Sequence, residues 1–280
     1  MSLLYRMLDT VLPERMISRL LGHMARTRWP KFILRPALRW YINHFGVDME
    51  EAAWPLEAYH SFTHFFTRPL RPGLRPLDES PEAVVSPVDG KVYVHGTLED
   101  GTLIHAKGKR YSAASLLGSK EEAERFVGGS FVTIYLSPRD YHRIHSPLSG
   151  TGTSFTYLPG KLLPVNPPSV AMFPRLFAEN ERLVTYIENE KAGTFAMVKV
   201  GATNVGRIVL SYRDYVTNRW DSPDVTHVEL NPTVEFEKGS EVGMFEMGST
   251  VILLFEPGVT LEGLEEEMPL QLGQRIGRLS

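Results

Sequence analysis

Apolar residues recur with a helical period at the start of the chain. Leu3, Leu4, Met7, Leu8, Val11 and Leu12 fall on one stripe over residues 3–12, and Pro13 stops that helix. Met16, Ile17, Leu20, Leu21, Met24 and Ala25 repeat the stripe on a second helix, with Arg15, Arg19 and Arg26 along its polar side. A third apolar segment, 32–45, carries Trp40, Tyr41 and Phe45, with Trp29 just before it. Arg, Trp and Tyr together suit a lipid headgroup boundary, but the same stripes serve equally to cover the protein's own core. The pattern leaves both readings open.

From about residue 83 the texture changes to short β-branched runs separated by glycine and proline: "AVVSPVDGKVYVHG", "GGSFVTIYLSP", "TFAMVKVGATNVGRIVLSY", "THVELNPTVEF" and "STVILLF". These predict strands. Between the halves, "RPLRPGLRPL" at 68–77 is basic and proline-rich, which favours an extended crossing segment over a helix. "SPVDG" and "GATNVG" read as turns of a compact β-sandwich, and no repeat or low-complexity tract is evident. The fold class expected is α+β, with amphipathic N-terminal helices packed on a mainly antiparallel sandwich or barrel-like core. The division expected is a helical region over 1–60 and a β-rich domain over 61–280.

Composition narrows the chemistry. With 280 residues, 42% apolar and 22% charged, the chain can bury a sizeable core. It has no cysteine, so thiolate catalysis, thiolate metal sites and disulfides are excluded, and covalent chemistry falls to Ser, Thr, Lys, His or a carboxylate. The net charge of −3 conceals an N-terminal surplus: residues 1–47 hold eight Arg and Lys against Asp9 and Glu14. No apolar stretch reaches the roughly 18–20 residues that span a bilayer, and Arg6 and Asp9 interrupt any signal-peptide core.

The densest polar cluster is "SPRDYHRIHSPLSG" at 137–150, where His142 and His145 stand beside Arg139, Asp140 and Arg143. Two histidines three apart share either a helix face or a loop rim. As a metal site they lack a third ligand, for which Asp89, His95 and His105 are the candidates, and the spacing does not require one. Asp89 precedes Gly90, a turn signature. Asp89, His145 and Ser249 are also the residue types of an activated-hydroxyl relay, although no G-x-S-x-G elbow surrounds Ser249. Gly-Ser doublets occur four times, at 118–119, 129–130, 239–240 and 248–249, so the last is not distinctive alone.

Its company is. "FFTRPLRPGLRP" (65–76), "SPVDG" (86–90), "YHRIHSP" (141–147), "LPVNP" (163–167), "NER" (180–182), "VGATNVG" (200–206) and "MGST" (247–250) together resemble the bacterial phosphatidylserine decarboxylases, in that family's order. One departure is Met247, where the family usually has Leu, an apolar swap of similar volume.

The resemblance implies that the Ser249 hydroxyl attacks the Gly248 carbonyl, that the resulting ester eliminates, and that residue 249 becomes a covalent pyruvoyl group. The products would be a large chain ending at Gly248 and a 32-residue small chain. Glycine at 248 tolerates the crowded geometry of that shift. It also implies His145 as the base, Asp89 holding and polarising its imidazole, and His142 orienting the head group and returning a proton. The partners implied are phosphatidylserine and an anionic membrane surface, with a second copy as a homodimer and no nucleic acid. The place implied is the periphery of the cell membrane, on its cytoplasmic face. Two rivals are a serine hydrolase that uses the same three residues in an intact chain, and a non-catalytic lipid-binding module.

Overall fold

A computed structural model describes residues 14–105, 109–173, 175–202, 207–218, 224–246 and 250–280. The stripe over 3–12, residues 203–206 of "GATNVG", and Met247, Gly248 and Ser249 lie outside the described residues.

The helices expected near the N-terminus are α1 (Glu14–Arg26) and α2 (Lys31–Phe45). Gly46 ends α2 in the left-handed region at φ 71°, its N–H returning to the Ile42 carbonyl at 2.9 Å. Leu34, Leu38 and Tyr41 share one face of α2. They bury against Val47, Tyr59, Phe65 and Phe66, the last two on the short helix α3 (Phe62–Phe66). Phe32, Ile33 and Trp40 of α2 and Leu20, Leu21 and Met24 of α1 are exposed. The apolar stripes are thus divided between an inward and an outward face.

Residues 69–71 run extended along Glu51–Ala53, with Arg71 N donating to the Glu51 carbonyl and Ala53 N to the Pro69 carbonyl, and the expected crossing segment is then interrupted by a turn over 72–75. Beyond it come β1 (Ala83–Val85), β2 (Gly90–Thr97), β3 (Thr102–His105), β4 (Lys109–Ser112), α4 (Ala113–Leu117), α5 (Lys120–Glu124), β5 (Ser130–Tyr135) and β6 (Arg143–His145). Then follow β7 (Gly150–Leu158), α6 (Pro167–Met172), α7 (Leu176–Glu179), β8 (Arg182–Asn189), β9 (Gly193–Val200), β10 (Ile208–Leu210) and β11 (Thr226–Phe236). The chain closes with β12 (Glu241–Phe245), β13 (Thr250–Phe255), β14 (Val259–Leu261), β15 (Pro269–Leu270) and β16 (Arg275–Leu279).

The centre is an eight-stranded sheet in the order β11-β7-β8-β9-β13-β5-β2-β15, antiparallel at every pair. Its edges do not meet, so the core is an open sheet and not a barrel. Alternation along β13 sends Val251, Leu253 and Phe255 to one face and Ile252 and Leu254 to the other. The first face is covered by two small sheets, β1-β16-β14 and β10-β12-β6, which contribute Val84, Ile276, Val242 and Phe245. The second is covered by the short helices, through Leu116, Leu117, Ala123, Leu176 and Phe177. Because both faces are dry, "VILLF" is apolar without alternation, as a fully buried strand should be.

Leu253 lies between Val132 and Met197 in this sheet and is fully buried. Leu253→Ala should lower unfolding free energy by about 2–5 kcal/mol in denaturant titrations. Met172→Ala, at an exposed position, should change it by about 0.5 kcal/mol or less.

Candidate active site

Asp89 and Gly90 open β2, and Tyr135 closes β5 beside them. Lys91 pairs with Tyr135, and Tyr135 pairs on its other side with Thr250, so β2 and β13 begin at the same end of the sheet. Gly90 has no freedom to carry a side chain, since a Cβ there would stand 2.4 Å from the Tyr135 carbonyl oxygen. A cavity of about 300 Å³ opens at this end, with Glu51, Arg75, Asp89, Asp140, Tyr141 and Leu270 among its walls.

The Asp89 carboxylate is fully engaged. Arg75 Nε donates to Oδ1 at 2.9 Å, Arg75 Nη2 to Oδ2 at 2.7 Å, and the Leu272 N–H to Oδ1 at 2.8 Å. The same guanidinium holds Glu51 through Nη1 and Nη2 at 3.0 and 2.7 Å. Two carboxylates on one fork raise the Arg75 pKa above its ordinary value, Asp89 being the larger cause.

Asp89 therefore does not hold the imidazole of His145, contrary to the relay expected from the sequence. His145 Nδ1 donates to the Gly239 carbonyl at 2.8 Å, and Nε2 faces the Tyr141 hydroxyl at 3.3 Å. A carbonyl only accepts, so Nδ1 carries the proton and Nε2 the lone pair. Burial pushes the His145 pKa below its ordinary value; the Gly239 bond and the charges of Glu241 and Asp89 oppose this, and Arg143 reinforces it. Asp89 reaches His145 through space, by charge. Burial also pushes the Tyr141 hydroxyl up to about 12, so it stays a donor at neutral pH.

The two histidines do not share a face. Residues 143–145 are a strand, and His142 before it turns the other way, stacked on Phe66 with ring centroids 4.0 Å apart. His142 is fully buried, and neither ring nitrogen has a hydrogen-bond partner. Burial, with Arg68 nearby, pushes its pKa down to about 3; the Ser137 backbone opposes this from outside hydrogen-bonding geometry.

Ser249 and Gly248 lie outside the described residues, but their flanks are fixed. On one side β12 pairs with β6, and the Phe245 N–H donates to the His142 carbonyl at 3.0 Å. On the other, Thr250 pairs with Tyr135 and Val200 and is fully buried, its hydroxyl without a partner. Residue 249 stands one peptide, about 3.8 Å between Cα atoms, from Thr250.

For the metal alternative, His95 lies six residues along β2 from Asp89, about 20 Å, so one ion cannot bind both. The His105 side chain is outside the described set. Among the described residues no three His, Asp or Glu side chains are grouped so as to hold a metal ion. Sequence reading missed Arg75, Glu51 and Tyr141. Tyr141 was adjacent to the histidines in "YHRIH", and Arg75 stood in a strap read only as a connector.

The family model described as phosphatidylserine decarboxylase matches residues 62–278. The phosphatidylserine decarboxylase proenzyme of Myxococcus xanthus is 49% identical over 269 residues, spanning 95% of each chain. That of Brevibacillus brevis is 45% identical over 269 residues, 95% of this chain and 94% of that one. That of Shewanella amazonensis is 41% identical over 284 residues, 97% of each.

The buried imidazoles set a pH dependence of stability. An unfolded histidine takes a proton near 6.5, whereas folded His142 resists it down to about 3. The unfolded state thus binds more protons as pH falls below about 6.5, and stability present above that pH is lost on acidification. In the Ser249→Ala chain, stability should fall by on the order of 1 kcal/mol per pH unit more than in a Ser249→Ala, His142→Phe chain between pH 6.5 and 4. Equal slopes would show that His142 titrates as a solvated histidine.

Proposed function

The chain belongs to the phosphatidylserine decarboxylase family, and from that premise we propose that it cuts its own backbone between Gly248 and Ser249. It then decarboxylates phosphatidylserine to phosphatidylethanolamine and CO2, using a pyruvoyl group formed at residue 249. The observation that carries this reading is the bracketing of residues 247–249. The strand before them is hydrogen-bonded to the segment bearing His142 and His145, and the strand after them to Tyr135, which leads into that segment.

In the first reaction Ser249 Oγ attacks the Gly248 carbonyl carbon. His145 Nε2 is the proton acceptor, since its lone pair is free of the ring proton held toward Gly239. Its depressed pKa keeps it unprotonated at neutral pH, and the Asp89 charge stabilises the imidazolium as it forms. Arg75 and Leu272 keep Asp89 in place, a task the imidazole does not perform. The ester then eliminates, the Gly248 carboxylate leaves, and hydrolysis of the new N-terminus releases ammonia.

The site fits a carbonyl group at residue 249. The His142 nitrogens and the Thr250 hydroxyl are buried polar atoms without partners on its two flanks, as an acceptor group there would require. A pyruvoyl carbonyl supplies an electrophile for the substrate amine and a sink for the electrons left when CO2 departs. We assign His142, stacked on Phe66, to orient the head group and to return a proton to the α carbon, its N–H passing to carbon as the other ring nitrogen takes up a proton that comes from solvent. The walls around it exclude water, which favours loss of a carboxylate charge.

The substrate is held in a bilayer by its acyl chains, so the enzyme has to work at the surface. We assign that docking to the N-terminal region over 1–60, with the catalytic domain over 61–280. The exposed Leu20, Leu21, Met24, Phe32 and Trp40 supply apolar contact, and the basic N-terminus supplies attraction to anionic lipid. Among the described residues no helix is long and apolar enough to cross a membrane.

Purified protein on a denaturing gel should show two chains, of 248 and 32 residues, the smaller blocked at its N-terminus by mass analysis. Ser249→Ala should give one chain without activity, His145→Ala should block cleavage, and His142→Ala should cleave yet decarboxylate at least about 100-fold more slowly. Two chains from Ser249→Ala would remove Ser249 from the reaction. Because α2 buries Leu34 and Leu38, docking is tested by substitution and not by deletion. Leu20→Ser, Phe32→Ser and Trp40→Ser together should weaken sedimentation with phosphatidylserine vesicles at least about tenfold; unchanged binding would place the membrane surface elsewhere.

A further inference from the structure

Arg68 is a buried cation that the proposed chemistry leaves unused. It follows α3 and is 3% exposed. Nη2 donates to the Arg139 carbonyl at 2.7 Å and, less closely, to that of Asp140 at 3.4 Å. Nε and Nη1 are buried and have no acceptor. The carboxylates nearest in charge are otherwise occupied: Glu51 is held by Arg75, and Asp140 accepts from the Ser137 N–H and hydroxyl.

A second buried arginine shows what a purely structural role looks like. Arg182 is as deeply buried, and its Nε, Nη1 and Nη2 donate to the carbonyls of Leu116, Asn180 and Ser115 at 2.6, 2.9 and 2.7 Å. Each of its nitrogens is satisfied by the fold. Arg68 has only one nitrogen so satisfied, and a guanidinium does not shed its proton to escape burial. Its neighbour completes the anomaly. The Arg68 guanidinium lies 5.5 Å over Phe65, while His142, with two unpartnered nitrogens, stacks on Phe66. Successive rings of α3 therefore carry open donors that face no anion of the protein.

The proposed substrate brings two anionic groups, a carboxylate and a phosphodiester. The carboxylate leaves as neutral CO2, so a cation gripping it would hold the ground state more tightly than the transition state and slow the reaction. The phosphodiester keeps its charge throughout. We propose that Arg68 receives the phosphodiester of the lipid head group through Nε and Nη1, which sets the serine moiety against His142. This rests on the decarboxylase reading. Access requires the turn at Arg139–Asp140, whose carbonyls cover Nη2, to part from the guanidinium. Once an anion is inside, the shielding from water strengthens its charge-assisted hydrogen bonds.

The product separates the two anions, because phosphatidylethanolamine retains the phosphodiester and lacks the carboxylate. Binding of short-chain phosphatidylethanolamine, below its micellar concentration, is measured on mature wild-type enzyme and on Arg68→Met, together with KM for phosphatidylserine in mixed micelles. The expected result is a rise of about 10- to 100-fold in both the phosphatidylethanolamine Kd and the phosphatidylserine KM, with kcat falling by less. Unchanged phosphatidylethanolamine binding overturns the proposal, whether or not phosphatidylserine binding weakens. If Arg68→Met does not mature, Arg68→Lys decides: a compact ammonium, whose donors cannot reproduce the planar fork, should weaken phosphatidylethanolamine binding about 3- to 10-fold, and wild-type affinity overturns the proposal. Failure of wild-type enzyme to release CO2 would instead overturn the decarboxylase reading, and the phosphatidylethanolamine measurement still judges Arg68.

Discussion

Strand β13 is hydrogen-bonded along both edges, to Tyr135–Ser130 on one side and Val200–Phe195 on the other, and both of its faces are dry. A strand in that position cannot slip by one residue without turning Val251, Leu253 and Phe255 into the opposite core. Its register is therefore fixed, and with it the place where Thr250 enters the sheet. Each fully buried Val, Ile, Leu or Phe contributes about 1.5–3 kcal/mol, against a net stability of about 5–15 kcal/mol for a typical domain. A strand anchored on that scale does not depend on its covalent link to residue 248. Breaking the backbone at its mouth is compatible with keeping the fold.

The polar groups around that mouth are of two kinds. Arg75, Asp89 and Glu51 satisfy one another, and Arg182 is satisfied by carbonyls. Lys199, one residue before the partner of Thr250, is fully buried with its pKa pushed down to about 7, and it donates to Thr185 Oγ1 and the Met197 carbonyl. Both ring nitrogens of His142, Nε and Nη1 of Arg68 and the Thr250 hydroxyl are unsatisfied. Buried polar atoms without partners are rare because each costs the fold its desolvation. Those on the two flanks of residues 247–249 and beside α3 are the ones on which the proposed ligand contacts rest.

The architecture was legible where one physical rule dominates. β-branched runs between glycines predicted the strands, "STVILLF" among them, because burial alone decides those positions. Whether the sheet closes was not legible, since closure depends on edge pairing between β11 and β15, and alternation does not encode it; the sheet is open. The Asp89–His145 contact failed for a related reason. A carboxylate goes to the strongest donor in space, and Arg75 arrives from a proline-rich strap whose sequence states only that it is extended. Spacing of three left helix and loop open for His142 and His145; an extended backbone sent them to different surroundings. The N-terminal stripes could not distinguish core from membrane because both accept Leu, Phe and Trp, and α2 buries one apolar face while exposing another.

That division has a consequence for the site. Arg26, at the end of α1, reaches Glu246 Oε2 at 3.1 Å, and Arg207 reaches the same oxygen at 3.0 Å. Glu246 is largely buried, so this carboxylate is less screened than a surface ion pair, and without it two guanidiniums would face each other. The helix that presents Leu20, Leu21 and Met24 outward is thus tied by its inward arginine to the residue immediately before Met247. A substrate that is an amphiphile demands apolar contact and charge recognition within one head-group length of each other. In the proposed reading, an element that is apolar on one side and ion-paired beside residue 247 on the other answers that demand.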